Sequence, residues 1–251
     1  MPPERVRLKV AQPWPRVAAL GWRVRVGVLQ SNYIPWRGYF DLIHDVDLFV
    51  FYDDVQYTVN DWRNRNIIKT ANGAIWLTVP VGNQNDRRIC DVEILDRTWA
   101  RKHWNTIEQS YRKAPCFSRF ESYFRDVYAR DWTSLSDMNQ TLVKHIAKEF
   151  LGIPTTFADS RDYALTGTKA DRVLCLLQLL HADEYISGPS AKSYLDVAAF
   201  ERVGIRVTFK DYSTYPVYPQ LHGPFVPAVS IVDLLMCCGE GAPYYVWGYR
   251  E

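Results

Sequence analysis

The chain has 251 residues, 47% of them hydrophobic, enough to bury the core of one large α/β domain or two small ones and too apolar for a disordered chain. Thirty Lys and Arg against 28 Asp and Glu leave a formal charge of +2, so no global field draws nucleic acid or an anionic membrane as the main partner. Five cysteines, odd in number and with only Cys237 and Cys238 adjacent, fit neither a disulfide framework nor a zinc site, which makes a reducing cytoplasm the expected setting.

Residues 1–23 lack the apolar run of a signal peptide or membrane span and read as an N-terminal extension. Val24 to Leu29 is a short apolar run rich in β-branched residues, the pattern of a strand buried on both faces. Pro35 then stands at an expected first helical position, and Trp36, Tyr39, Phe40 and Ile43 follow at the spacing of one helix face. Leu48 to Tyr52 is a second apolar strand. This order suggests a parallel βαβ unit, in which ligands bind beyond the carboxyl ends of the strands, where Gln30 to Tyr33 and Asp53 to Tyr57 lie.

Asn66 to Thr70 and Ile75 to Val79 flank Ala71-Asn72-Gly73, a hairpin signal. Helical patterns follow over 98–111, 117–128 and 135–151, the last closed by Gly152-Ile153-Pro154. Beyond them come a strand over 153–158, a helix over 168–181, and strands over Glu184 to Ser187 and Ile205 to Phe209. A final helix runs from Ser230 to Cys238, with a serine cap, Asp233 three residues on and Gly239 as its stop. The fold class is α/β, with a mixed, largely parallel sheet, a Rossmann-like βαβ opening, a β-hairpin and a helical middle section. One domain over 24–241 carries a helical insertion at about 97–151, and 242–251 form a C-terminal tail.

Several clusters carry chemistry. Gln30, Tyr33 and Trp36 would present amide and aromatic groups beside a helix N-terminus that attracts anions; the bland alternative is a polar loop with a core Trp. Asp53 and Asp54, adjacent at a strand end with Gln56 and Tyr57 after them, could bind Mg²⁺ or act as a base, or simply cap a turn. Two acids alone do not specify a metal, and none is expected. Around Trp62, strand alternation puts Asn64 and Asn66 on one side and Arg65 and Lys69 on the other, where the two cations would clamp a phosphate or carboxylate. A solvated hairpin face is the competing account.

His103 lies on or beside the apolar face of its helix, as a general acid or base or as a satisfied core histidine. Lys169 and Arg172 surround a helix start, and Ser187 lies at a strand end before Gly188. There is no G-x-S-x-G elbow, P-loop or G-x-G-x-x-G, and the late cysteines sit in an apolar helix where a thiol is core.

The series VGVLQSNYIPWRGYFDLI, DLFVFYDDVQYTVNDWRNRNIIKT and WLTVPV, then His103, Tyr111-Arg-Lys-Ala-Pro, Tyr185-Ile-Ser-Gly, Tyr194-Leu-Asp, Tyr218-Pro-Gln220 and Ser230-Ile-Val-Asp233, resembles the WbqC-like protein family over about 24–241. One departure is visible: the family usually carries His-Gln-Pro where this chain has Leu29-Gln30-Ser31. The resemblance implies an enzyme of polysaccharide or natural-product biosynthesis that transfers a glycyl or similar aminoacyl group to an amino sugar or other amine, and it adds Tyr194 and Gln220 to the substrate-binding candidates.

Such a transfer, from a phosphopantetheine thioester on a carrier protein, needs neither metal nor protein nucleophile and no cofactor of the enzyme's own. Asp53, Asp54 or His103 would be the base, Arg65, Asn64 and Asn66 would hold the oxyanion or a carboxylate, and Lys169 and Arg172 would meet the phosphate. A nucleotidyl or adenylyl transferase using ATP, and a non-catalytic module that binds a carrier protein, are the two alternatives. Nucleic acid and membrane are not expected partners.

Overall fold

The computed structural model describes residues 23–250. In chain order the strands are β1 (Arg25–Leu29), β2 (Leu48–Phe51), β3 (Arg65–Thr70), β4 (Gly73–Thr78), β5 (Thr156–Asp159), β6 (Glu184–Ser187) and β7 (Arg206–Phe209). The helices are α1 (Arg37–His44), α2 (Thr98–Tyr111), α3 (Phe117–Ala129), α4 (Leu135–His145), α5 (Lys169–Leu179), α6 (Val197–Glu201) and α7 (Ile231–Cys238). A single π turn, Ile146–Phe150, extends α4.

Five strands make one parallel sheet in the order β5-β2-β1-β6-β7, and β3 with β4 makes a separate antiparallel hairpin. The first crossovers build the sheet outward from β1 through β2 to β5. The chain then returns across β1 and builds the other half as β6 and β7. The direction of winding therefore reverses between β1 and β6, and at such a point the loops leaving the two carboxyl ends diverge and open a crevice.

Strand alternation assigns the two faces. Val26, Val28, Leu48 and Val50 pack with Leu176, Leu177 and Phe200 of α5 and α6, while Phe49 and Phe51 face a larger core shared with α1, the helical middle section and α7. Gly27 lets α1 approach closely, because a Cβ there would lie 2.8 Å from Leu42 Cδ2.

The parallel sheet, the hairpin and the helical middle section are as the sequence predicts, but local details differ. Pro35 lies before the helix and Trp36 is its N-cap. The strand predicted from 153 starts at Thr156, since the Ile153 N–H donates to the Ala147 carbonyl (2.8 Å) and Pro154 has no N–H to give a ladder. Ser230 caps α7 through the Val232 N–H (3.2 Å), whereas the Asp233 carboxylate turns away and accepts the hydroxyls of Tyr111 (2.9 Å) and Tyr218 (2.8 Å).

Residues 242–250 are tied to α1 rather than trailing from the domain. Trp247 stacks on His44 with ring centroids 4.1 Å apart, and Arg250 pairs with Asp41 and Asp45. The extension expected over 1–23 lies outside the described residues apart from Arg23. No helix among the described residues is long and apolar enough to cross a membrane.

Candidate functional site

The crevice at the β1/β6 reversal is a cavity of about 880 Å³. Its floor is the ends of β1 and β6, with Leu29, Gln30, Ser187 and Gly188; its walls are the rings of Tyr52 and Tyr185 and the first turn of α5 from Thr168 to Val173. Tyr194, 70% exposed, stands at the rim. These positions follow from local rules. Apolar β1 and β6 are driven into the middle of the sheet, so the polar residues after them emerge together at its edge.

The α5 end of the cavity is built for an anion. Thr168 is the N-cap but its side chain caps nothing, and Lys169, exposed, and Arg172 both line the cavity. Uncapped helix N–H groups and the Lys169 ammonium favour a phosphate or carboxylate there, with Arg172 already paired to Asp54 and the Asp171 carboxylate of the same turn opposing it. Lys169 takes a left-handed φ of 49°, uncommon for a residue with a Cβ. Arg172 donates to both oxygens of Asp54, at 3.2 and 2.5 Å, and lies over the Tyr52 ring. Burial pushes the Asp54 carboxyl up, but hydrogen bonds from Arg172 and Ser160 together outweigh it and hold the group below its ordinary value. Asp54 is thus an ion-pair partner that orients Arg172, not a free base. Burial likewise pushes the Tyr185 phenol up to about 12, so it stays protonated.

Asp53, its neighbour, points the other way. It is fully buried and accepts from the Ser31 N–H (2.7 Å), the Ser136 hydroxyl (2.5 Å) and Gln140 (3.2 Å), pinning the turn after β1 to α4. Burial raises its pKa, and these donors oppose the rise. The two carboxylates predicted as one catalytic pair are therefore separated by strand alternation. The Ser31 N–H that Asp53 holds is a donor that a proline at this position would lack.

His103 does not line the cavity. It is buried in an aromatic cage, where Nδ1 is hydrogen-bonded to the Tyr33 hydroxyl (2.8 Å), which in turn lies 2.5 Å from the Tyr128 hydroxyl. Burial lowers its pKa to about 4, so it is neutral at pH 7. This is a satisfied core histidine, and Tyr33 is its partner rather than a ligand contact.

The predicted Arg65–Lys69 clamp is also absent. Lys69 is buried, its ammonium bound to Gln220 Oε1 (2.8 Å) and the Pro224 carbonyl, while Arg65 stacks over Trp76 at 4.3 Å. Gln220 is saturated by Lys69, Tyr218 and Val226 and fixes the loop that holds Lys69. Gln56, exposed, reaches the Asn85 carbonyl, and Tyr57 is buried beneath Arg87. Asn64 bonds the Val79 carbonyl, and Asn66 donates to the carbonyls of both Tyr33 and Ile34. The latter bonds hold Ile34, a β-branched residue at φ 34°, in the turn that leads to α1.

Of the predicted site residues, the structure gathers Gln30, Lys169, Arg172, Ser187 and Tyr194 at the large cavity. It places Trp36, Trp62 and Asn66 around a second, smaller one of about 290 Å³ with Asn32, Pro35 and Ala228. The Tyr185 to Gly188 turn is a candidate from the sequence, whereas Thr168, Asp171, Ser190 and the Tyr52 ring are not among the predicted ligand contacts. Only their nearness to predicted strand and helix ends could have found them. Ala228 lies in an irregular segment with no periodic signal.

The sequence model of the family described as "WbqC-like protein family" matches residues 30–245. The chain belongs to the WbqC-like family. A relative from Mycobacterium tuberculosis (strain ATCC 25618 / H37Rv), the uncharacterized protein Rv1507c, is 47% identical over 230 residues, covering 90% of this chain and 99% of its own. No solved structure matches the chain. The family match takes in the smaller cavity and all of the larger one's lining except Val28 and Leu29, and it stops short of Trp247 and Arg250, which reach α1.

Proposed function

We propose that this WbqC-like protein is an acyltransferase that moves a glycyl or similar aminoacyl group from a carrier-protein thioester to an amine, such as an amino sugar or an amino acid, in polysaccharide or natural-product biosynthesis. The observation that carries the reading is the large cavity with a cationic, uncapped helix N-terminus at one end and Gln30 and Ser187 at the other. A phosphopantetheine arm has that polarity: a phosphate, then a slender chain ending in the reactive thioester. Lys169 and Arg172 would hold the phosphate, the tyrosine-walled cavity the arm, and the Gln30 amide and Ser187 hydroxyl would donate to the developing oxyanion.

In the reaction the amine nitrogen bonds to the thioester carbonyl carbon, the carbon–sulfur bond breaks, and the proton lost by nitrogen ends on the departing thiol. No histidine or cysteine lines the cavity, which favours direct attack over a covalent enzyme intermediate. The cytoplasm is the proposed setting, in keeping with five unpaired cysteines.

The test is thiol release from glycyl-phosphopantetheine in the presence of an amine panel and without ATP. Release is expected, and Lys169→Ala should lower kcat/KM by about tenfold through the lost charge contact. Absence of release, with pyrophosphate formed from ATP instead, would replace the reading by nucleotidyl transfer. Binding of a carrier protein with neither reaction would leave a non-catalytic module.

A further inference from the structure

The turn after β1 serves two cavities. Gln30 faces the large one, and Asn32, two residues on, faces the small one of about 290 Å³. The small cavity is lined by Trp36, Trp62, Pro35, Ala228, Asn32 and Asn66, a set with flat apolar surfaces and two carboxamides but no charge. Asn66 is committed to the Tyr33 and Ile34 carbonyls and the Ile67 N–H. Asn32 is not: its Oδ1 is buried without a partner, so turning the amide over sacrifices no bond to that oxygen.

Further features mark the place as built. Gly38 is required there, because a Cβ would come within 2.3 Å of the Trp36 ring. Trp62 and Trp76, 42% and 45% exposed with ring centroids 5.4 Å apart, continue an aromatic platform out of the cavity, with Arg65 stacked beneath Trp76. Solvent-exposed tryptophans side by side, one on β4 and one in the turn before β3, are a costly surface unless something covers them.

We infer that the cavity between Trp36 and Trp62 is a second ligand site that takes a neutral-bodied sugar ring, whose apolar face lies on the indoles and whose polar substituents meet the Asn32 amide. In the acyl-transfer reading, on which only this assignment of role rests, the sugar carries the acceptor amine. Donor and acceptor then approach from opposite sides of the Gln30–Asn32 turn. A free amino acid fits less well, because its carboxylate would enter a lining without a cation. An uncharged surround also favours the neutral, nucleophilic form of an amine.

The experiment is saturation-transfer NMR on the full chain with glucosamine and phenylalanine as probes at about 10 mM, within reach of millimolar affinities. Glucosamine should be saturated and phenylalanine not. Trp62→Ala and Asn32→Ala should each weaken glucosamine by about tenfold. The urea midpoint of Asn32→Ala should be unchanged, since the lost oxygen has no partner, and phosphopantetheine should bind both variants as it binds the wild type. No glucosamine binding, or equal binding by the variants, overturns the inference, as does phenylalanine binding in its place. Glucosamine binding that depends on Trp62 while every thioester assay stays silent would leave the site standing and remove the acyl-transfer reading alone.

Discussion

Two buried asparagines, Asn66 in β3 and Asn64 just before it, should respond very differently to truncation. Asn66 makes three bonds: Nδ2 to the Tyr33 and Ile34 carbonyls, each 3.0 Å, and Oδ1 from the Ile67 N–H at 2.8 Å. Asn64 bonds the Val79 carbonyl at 3.0 Å, while its Oδ1 is buried and unpaired. In Asn66→Ala two carbonyls in a fully buried turn lose their donor, at about 1–3 kcal/mol each. Relief of the Ile34 backbone strain, about 1–3 kcal/mol, offsets part of that, leaving a net loss of about 2 kcal/mol.

In Asn64→Ala one carbonyl is orphaned but an unsatisfied buried oxygen is also removed, so the net loss is about 1 kcal/mol. Urea unfolding followed by tryptophan fluorescence measures both. With a slope of about 2.5 kcal/mol/M, Asn66→Ala should shift the midpoint down by about 1 M and Asn64→Ala by less than about half of that. An equal or larger shift for Asn64→Ala would refute the assignment of Asn66 as the pin of the turn.

The other expectations follow from burial and charge. His103 has its pKa depressed to about 4 from 6.5, so between those values the unfolded chain binds the extra proton. Its contribution of about 3 kcal/mol is therefore full above pH 6.5 and lost as pH falls toward 4, and His103→Gln should flatten that part of the urea midpoint against pH curve; an unaltered slope would count against the buried, neutral ring. Asp54 and Asp45 are depressed despite the opposing pull of burial, Asp54 by Arg172 and Ser160 and Asp45 by His44 and Lys210. Their stabilisation is present above 3.8 and disappears as pH falls below it, so Asp54→Asn should lose less stability than the wild type on acidification from pH 4 to pH 2, measured by circular dichroism. Gly38→Ala should cost about 1–3 kcal/mol and displace the Trp36 ring, seen as a shifted indole resonance; unchanged resonances would mean that the helix start absorbs the methyl group.

Much of the fold is legible because it depends on local pattern. The apolar runs at β1, β2 and β6 are buried strands whose two-residue period decides which side chains face α1 and which face α5. Part of the large cavity was within reach for the same reason, since Gln30, Ser187, Lys169 and Arg172 stand at strand and helix ends. The polar cluster of the hairpin misled, because residue type alone does not reveal whether a charge has a partner. Lys69 and Arg65 share a strand face, yet one is captured by the 220–224 loop and the other by Trp76.

By itself the sequence determined the succession of strands and helices apart from the short α6, the polar turns at their ends and the family. Tertiary structure alone decided which polar groups remain free. Asp53, Asp54 and His103 carry the chemistry of bases, but contacts with Ser136, Arg172 and Tyr33, 70 to 118 positions from their partners along the chain, tie each one down. Asn32, unremarkable in sequence, is left with an unpaired oxygen beside a cavity. Such contacts cannot be read from spacing, because a hydrogen bond depends on distance in space, and only the crossovers of the sheet bring these residues within it.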